Sequence, residues 1–281
     1  MITSRSNPLI REIRLLRQAK HRRARGEFLV EGVRLVEEAI ESGQPLRRIV
    51  HSPRLEASPR GAALLAEGRR RVSGVEWHSV SDAVLDSLSD TQTHQGILAV
   101  LGTRDYGWED LGKRQGLVLL LHGLQDPGNL GTIFRTAEAG RSAGLVLTRG
   151  TIDPYNPKAV RGSMGSLFRL PFLVGQEPLA CLDRLRTLGR RVFAAAAGRG
   201  RCLWEVDLVA PAAVLFGQEG SGLPEELLQA ADGILTIPMQ PGVNSLNVAV
   251  SASLVVYEAA RQRFFRDLKG RGSSSAPPPP G

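Results

Sequence analysis

Short, nearly unbroken apolar runs alternate along this chain with longer segments in which apolar residues recur every three or four positions. Ile10, Ile13 and Leu16, with Leu9 beside them, repeat at helical spacing, so residues 5–25 read as one amphipathic helix. FLVEG (28–32), VRLVEEAIESG and LRRIVHS (46–52) then read as strand, helix and strand. ALLAEGRRR (63–71) reads as a helix, VEWHSV (75–80) as a strand, AVLDSLSD (83–90) as a helix and GILAVLG (96–102) as a closing strand. The pattern predicts a small α/β domain over 1–105 and a polar, glycine-bearing linker over 106–115.

From Gly116 the alternation resumes. GLVLLLHGL, GLVLT (144–148), LPFLV (170–174), RVFAAAA (191–197), AAVLFG (212–217) and GILTIPM (233–239) read as strands. LGTIFRTAEAG, NPKAVRGSMGSLF (156–168), EPLACLDRLRTLG (177–189), PEELLQA and a long segment at 247–268 read as helices. Strands that are apolar throughout, separated by helices, imply an α/β domain over 116–268 with a mostly parallel sheet covered on both faces. The ending GRGSSSAPPPPG cannot build a core, so 269–281 reads as a disordered tail.

Composition changes the picture mainly through charge. The 281 residues carry 36 Lys and Arg against 28 Asp and Glu, a net charge of +8, which points to nucleic acid or another anionic partner. Arg5, Arg11, Arg14, Arg17, Lys20, Arg22, Arg23 and Arg25 crowd the first predicted helix, where Glu12 is the only acid. That face is either solvated or an arm that contacts phosphates, and the sign bias favours the arm. Cys181 and Cys202 are the only cysteines and read as small buried apolar residues, without zinc or redox spacing. The five histidines are scattered, so no metal site is expected; His122, at a strand end, is open to a functional or a structural role. No apolar run reaches the roughly 20 residues of a membrane helix and no signal core opens the chain, so a cytoplasmic protein is expected.

Candidate chemistry sits in three loops, each following an apolar run and opening a helix: LLHGLQDPGNLGTIFRTAEAG (120–140), LFGQEGSGLPEEL (215–227) and IPMQPGVNSLNVAVSASL (237–254). Such loops expose backbone groups at the C-terminal edge of a sheet, and together they suggest one composite pocket. In the first, Asn129 reads as a helix N-cap and Gly131 clears the first turn. Arg135 follows on the same face, a cation that the helix dipole does not explain and a ligand would. In the second, Glu219 stands among Gly217, Gly220 and Gly222, where it either bonds loop amides, caps a helix or meets a cationic ligand. In the third, Ser245 or Asn247 can cap the final helix. Neither GxGxxG nor GxxxxGK[ST] is present, which argues against dinucleotide dehydrogenases and P-loop NTPases.

In this order the loops resemble the motifs of the SpoU (TrmH-like) RNA ribose 2′-O-methyltransferases of the SPOUT superfamily. Asn129, Gly131, Arg135, Thr136 and Ala137 match the NxGxxxRTA pattern, and Phe216, Gly217, Glu219 and Gly222 match FGxExxG. Ile237, Pro238, Met239 and then Ser245 to Val250 match IPM…SLNVSVA, with Ala249 where the family usually has serine. SRSNPLIREI, EFLVEGVRLVEEAI and QGILAV carry a weaker likeness to an RNA substrate-binding domain often attached to these enzymes.

The resemblance implies a deep trefoil knot in the C-terminal domain, a homodimer, and S-adenosylmethionine (SAM) as cofactor. It implies that Gly217, Ile237 and Leu246 hold SAM through backbone groups, with Ala197 beside them. Arg135 would activate the ribose hydroxyl, and Asn129, Glu219, Ser245 and Asn247 would orient the arrangement. Arginine stays protonated and is a poor base, so stabilisation of an alkoxide and transfer of the proton to an RNA phosphate remain open for it. Arg11, Arg14, Arg17, Lys20, Arg22, Arg23 and Arg161 are the candidate RNA contacts. The separate N-terminal domain favours ribosomal over transfer RNA as substrate. Besides a tRNA methyltransferase, the alternative is a catalytically silent RNA-binding protein, against which intact Arg135, Glu219 and Asn247 count.

Overall fold

The structure, a computed structural model, describes residues 1–91 and 93–270, with side chains to Arg266. The chain forms two compact units: residues 1–105 with 127–135 and 153–169, and residues 106–126 with 136–152 and the chain from 170 on.

The first unit begins with α1 (Pro8–Leu15) and α2 (Ala19–Arg25) and continues with β1 (Glu27–Glu31), α3 (Val33–Glu41) and β2 (Leu46–His51). It adds α4 (Pro59–Arg71), β3 (Glu76–Ser79), α5 (Asp82–Leu88) and β4 (Ile97–Gly102). The sheet order is β1-β4-β2-β3, with β4 antiparallel to both neighbours and β3 parallel to β2. Ile10, Ile13 and Leu16 do face the core, where they meet Val84, Leu85 and Leu88 of α5 and Leu98 and Val100 of β4. Pro8 and the Asn7 side chain, which accepts from Leu9 N, start α1.

The single helix expected over 5–25 is two helices. Gln18 is extended, and Arg22 fills the break: its Nη1 donates to the carbonyls of Leu16 (3.0 Å) and Arg17 (2.8 Å). Its Nε and Nη2 donate to Asp153 Oδ2 at 2.9 and 2.6 Å, and the side chain is 4% exposed. Carbonyls freed at the end of α1 thus find a cation, and the cation finds a carboxylate. Arg22 is therefore not on an RNA-facing surface, contrary to expectation.

The remaining elements are α6 (Trp108–Gly112), β5 (Val118–Leu121), α7 (Pro127–Ala139), β6 (Gly144–Thr148), α8 (Pro157–Ser163), β7 (Phe172–Gln176) and α9 (Pro178–Thr187). They end with β8 (Arg191–Ala195), β9 (Arg201–Cys202), β10 (Ala212–Phe216), α10 (Glu225–Ala230), β11 (Gly233–Thr236) and α11 (Val248–Gly270). Their sheet runs β7-β6-β5-β10-β8-β11-β9, and every pairing in it is parallel. β5, β6 and β10 are buried at each position, which is why they read as continuous apolar runs.

Four local expectations change. The segment expected as a linker contains α6, whose Leu111 is fully buried in the core of the second unit. The helix expected over 156–168 stops at Ser163, because Met164 and Gly165 turn left-handed, at φ 50° and 88°. α7 starts at Pro127, which puts Asn129 inside the first turn rather than at the cap. Cys181 is buried, whereas Cys202 is only half-buried. Of the tail expected at 269–281, the first two residues continue α11 and the rest lies outside the described residues. No helix among the described residues is long and apolar enough to cross a membrane.

Candidate functional site

The sheet of the second unit reverses its direction of growth beside β5. The chain adds β6 and β7 on one side, then places β8 on the other, and later inserts β10 between β5 and β8 and β11 between β8 and β9. At such a switch point the loops after neighbouring strands diverge and leave a crevice at the carboxyl edge. One strand along from that point, a cavity of about 510 Å³ opens past the ends of β8, β10 and β11. Phe216, Leu228 and Leu235 give it an apolar floor, and Ser221, Ser245, Asn247 and Ser251 a polar rim.

The second loop folds back on itself. Gln218 N donates to Gly222 O and Gly222 N to Gln218 O, both at 3.1 Å. A Cβ on Gly217 would stand 2.2 Å from the Gly222 carbonyl, so only glycine allows this closed turn. Glu219 reaches out of it: Oε1 accepts from Asp126 N at 3.2 Å and Oε2 from Gln125 N at 3.4 Å. A carboxylate thereby takes backbone N–H groups just ahead of α7, where the helix end is electropositive. The bonding of loop amides, one of the three roles open to Glu219, is seen.

The first loop is tied down from several directions. Gln125 Nε2 donates to the carbonyls of Gly123 (2.8 Å) and Gly150 (2.6 Å), and Thr151 Oγ1 donates to Leu121 O and accepts from Gly123 N. His122 N donates to Phe216 O, and its Nδ1 lies 3.1 Å from Thr148 Oγ1. Burial holds the His122 pKa below the usual histidine value, with Glu177 opposing. His122 has a structural place here. In the third loop Asn247 supplies the cap, its Oδ1 accepting from Ala249 N (2.8 Å) and Val250 N (3.3 Å), so that Ser245 is left on the rim.

The cavity brings together Ala197, Gly217, Glu219, Ile237, Ser245, Leu246 and Asn247, all expected from the sequence. Asn129 and Arg135 are not among its lining residues and lie on α7. Arg135 is exposed; the next residue, Thr136, accepts from the Ser253 hydroxyl of α11 at 3.1 Å. Gly131 has a packing explanation, since a Cβ there would stand 2.8 Å from Gly162 Cα on α8. Among the basic candidates Arg11, Lys20 and Arg23 are exposed. Arg14 donates to Ser87 Oγ at 3.0 Å, and Arg17 and Arg161 share Asp90 at 3.1 and 3.0 Å. Met239 of the third motif also lines the cavity, as do Gln218, Ser221 and Ser251, which carried no signal of their own in the sequence.

Among the described residues the lining contains no lysine or arginine, so the cavity does not suit the phosphates of a nucleotide cofactor. An apolar slot with exposed backbone, hydroxyls and one carboxylate suits a nucleoside with a neutral or cationic extension instead. Comparison with known proteins agrees. Residues 116–257 match the SpoU rRNA Methylase family. The chain belongs to that family. Residues 7–99 match the MRM3-like substrate binding domain, so this SpoU chain carries an added substrate module. It is 32% identical to the 23S rRNA (guanosine(2553)-2′-O)-methyltransferase of Bacillus subtilis, over 91% of this chain and 97% of that one. It is 31% identical to the 23S rRNA (uridine(2479)-2′-O)-methyltransferase of Streptomyces viridochromogenes, over 94% and 92%. The AdoMet-bound rRNA methyltransferase structure from Sinorhizobium meliloti superposes with a TM-score of 0.80 at 30% identity, covering 92% of this SpoU chain and 97% of the other.

Proposed function

We infer that the protein is a SAM-dependent methyltransferase that methylates a ribose 2′-hydroxyl in ribosomal RNA. The observation that carries this reading is the cavity past the ends of β8, β10 and β11, built from two of the three SpoU motifs and free of basic lining among the described residues. Its size lies within the range of about 300–1,000 Å³ usual for small-molecule sites. Ala197, Gly217, Ile237 and Leu246 would hold SAM, with the closed turn at Gly217 giving the cofactor direct access to backbone. When bound, SAM supplies an electrophilic methyl group on a positively charged sulfur.

The remaining work falls to the chain's own residues. Glu219 fixes the loop ahead of α7, and Asn247 fixes the start of α11, so two motifs are held by hydrogen bonds rather than by packing alone. The Arg135 guanidinium, which donates and does not accept, is assigned to stabilising the 2′-oxygen as it becomes negative. Asn129 and Ser245 complete the orienting set. Arg11, Lys20 and Arg23 are assigned to RNA phosphates, together with Arg14, Arg17 and Arg161, whose bonds to Ser87 and Asp90 are weak enough to exchange.

Both relatives named above act on 23S rRNA, which supports ribosomal rather than transfer RNA as substrate. A homodimer and a trefoil knot belong to the same reading. Val250, Tyr257 and Phe264, exposed and seven residues apart on α11, give a second copy an apolar stripe. The test is incubation with labelled SAM and either ribosomal or bulk transfer RNA, followed by mapping of 2′-O-methyl sites. Label in ribosomal RNA is expected; label in neither pool removes the enzyme, and label in transfer RNA alone changes the substrate.

A further inference from the structure

β3 is an edge strand of the four-stranded sheet, and α4 ends in Arg69, Arg70 and Arg71. Trp77 of β3 rests against the α4 backbone at Gly68, where a Cβ would stand 2.9 Å from Trp77 Cη2 and 3.2 Å from Cζ2. The indole is thereby fixed in a seat that any larger residue would close. Over the same ring lies the Arg69 guanidinium, its Cζ 5.6 Å from the centroid. Arg69 Nη2 is also 3.3 Å from His51 Nε2, and since arginine only donates, the imidazole accepts.

His51 is 5% exposed. Burial first, then the charge of Arg69, holds its pKa below the usual value, with Glu56 opposing. A neutral ring keeps its acceptor at neutral pH, so Arg69 is anchored at two points. Its side chain nevertheless remains exposed, as does that of Arg70 next to it. Arg71 meets Glu41 and Glu67 only at 3.9 and 4.0 Å, and Arg48 meets Glu76 at 3.6 Å, all loose surface pairs.

We propose that Arg69, seated on Trp77 and anchored by His51, stacks one unpaired base of the RNA substrate. The inference rests on the reading of the protein as an RNA methyltransferase. A phosphate contact needs only a point charge, which any exposed arginine or lysine provides. An arginine held beside an indole by a hydrogen bond to imidazole has already lost its rotamer freedom, which favours stacking on an exposed base. Duplex RNA hides its bases, so the site selects single-stranded or looped segments.

The test compares the full chain with its Arg69→Lys and Arg69→Ala variants. Binding of a labelled oligoadenylate and of an RNA duplex of equal length is read by fluorescence anisotropy, beside the methylation assay on ribosomal RNA. Both variants are expected to lose about tenfold or more in affinity for the single strand, the scale of one stacked base, and to bind the duplex within about twofold of the parent. Single-strand affinity in Arg69→Lys equal to that of the parent overturns the proposal, because charge alone then suffices. Equal losses on single strand and duplex overturn it as well, by making Arg69 a phosphate contact. If the parent methylates no ribosomal RNA, the underlying reading falls; if it does and Arg69→Lys binds normally, stacking alone falls.

Discussion

Charge at single residues divides into two kinds in the first unit, and the division has measurable consequences. Arg22 and Asp153 are 4% and 9% exposed, so neither is in contact with solvent to any useful degree. Arg22→Ala takes the cation from a buried carboxylate and the guanidinium donor from two carbonyls, and is expected to cost about 3–5 kcal/mol of stability in denaturant unfolding. Replacing exposed Arg11, Lys20 and Arg23 together by alanine is expected to change stability by about 0.5 kcal/mol or less. Their loss should instead flatten the salt dependence of RNA binding by about one unit of slope per phosphate contact removed. An unchanged slope would return these residues to solvent. For Arg135, alanine is expected to lower kcat by about 10²–10³ while SAM affinity, read by calorimetry, stays within a few-fold. A full rate in that variant would take Arg135 out of the chemistry.

At the scale of elements, the loops after β5, β10 and β11 act as a set of braced turns. The turn at 217–222 is closed by its own backbone, Glu219 ties it to the loop ahead of α7, and Asn247 starts α11. Gly217→Ala forces a Cβ into the Gly222 carbonyl, an overpacking of about 1–3 kcal/mol that opening the turn would relieve. The expected result is a SAM dissociation constant raised at least tenfold in calorimetry, with the circular dichroism of the sheet preserved. Unchanged affinity would show that the turn is not the seat of the cofactor. The motif glycines thus have separate causes: Gly217 permits a turn at the cavity, whereas Gly131 permits α7 and α8 to approach. The spacing of the motif does not separate these two uses, because both need only an absent side chain.

For the molecule as a whole, two histidines bias stability with pH. His51 and His122 are both held below the usual value of 6.5, in each case chiefly by burial. The unfolded chain therefore binds more protons than the folded one once the pH falls below about 6.5, and stability declines in that direction. Thermal unfolding is expected to show a midpoint that is level above neutrality and falls between pH 6.5 and 5.5. A midpoint that rises on acidification would mean that the folded state gains these protons instead.

Strand and helix alternation, a mostly parallel second sheet and the order of the three loops were legible in the chain itself. The reason is that strands buried on both faces must be apolar throughout, and loops that present backbone to a ligand must be rich in glycine and asparagine. Ile10, Ile13 and Leu16 could likewise be assigned to a core from spacing alone. Only the tertiary structure decided that Arg22 points inward, that α1 and α2 are separate, and that Arg69, Trp77 and His51 form one cluster. Each depends on partners far away in sequence, and charge patterning along a helix says nothing about a carboxylate 131 residues further on. The place of β10 between β5 and β8 was decided the same way, and with it the position of the cavity. Local patterning sets which face of an element is apolar; which elements become neighbours is settled only when those faces are buried together.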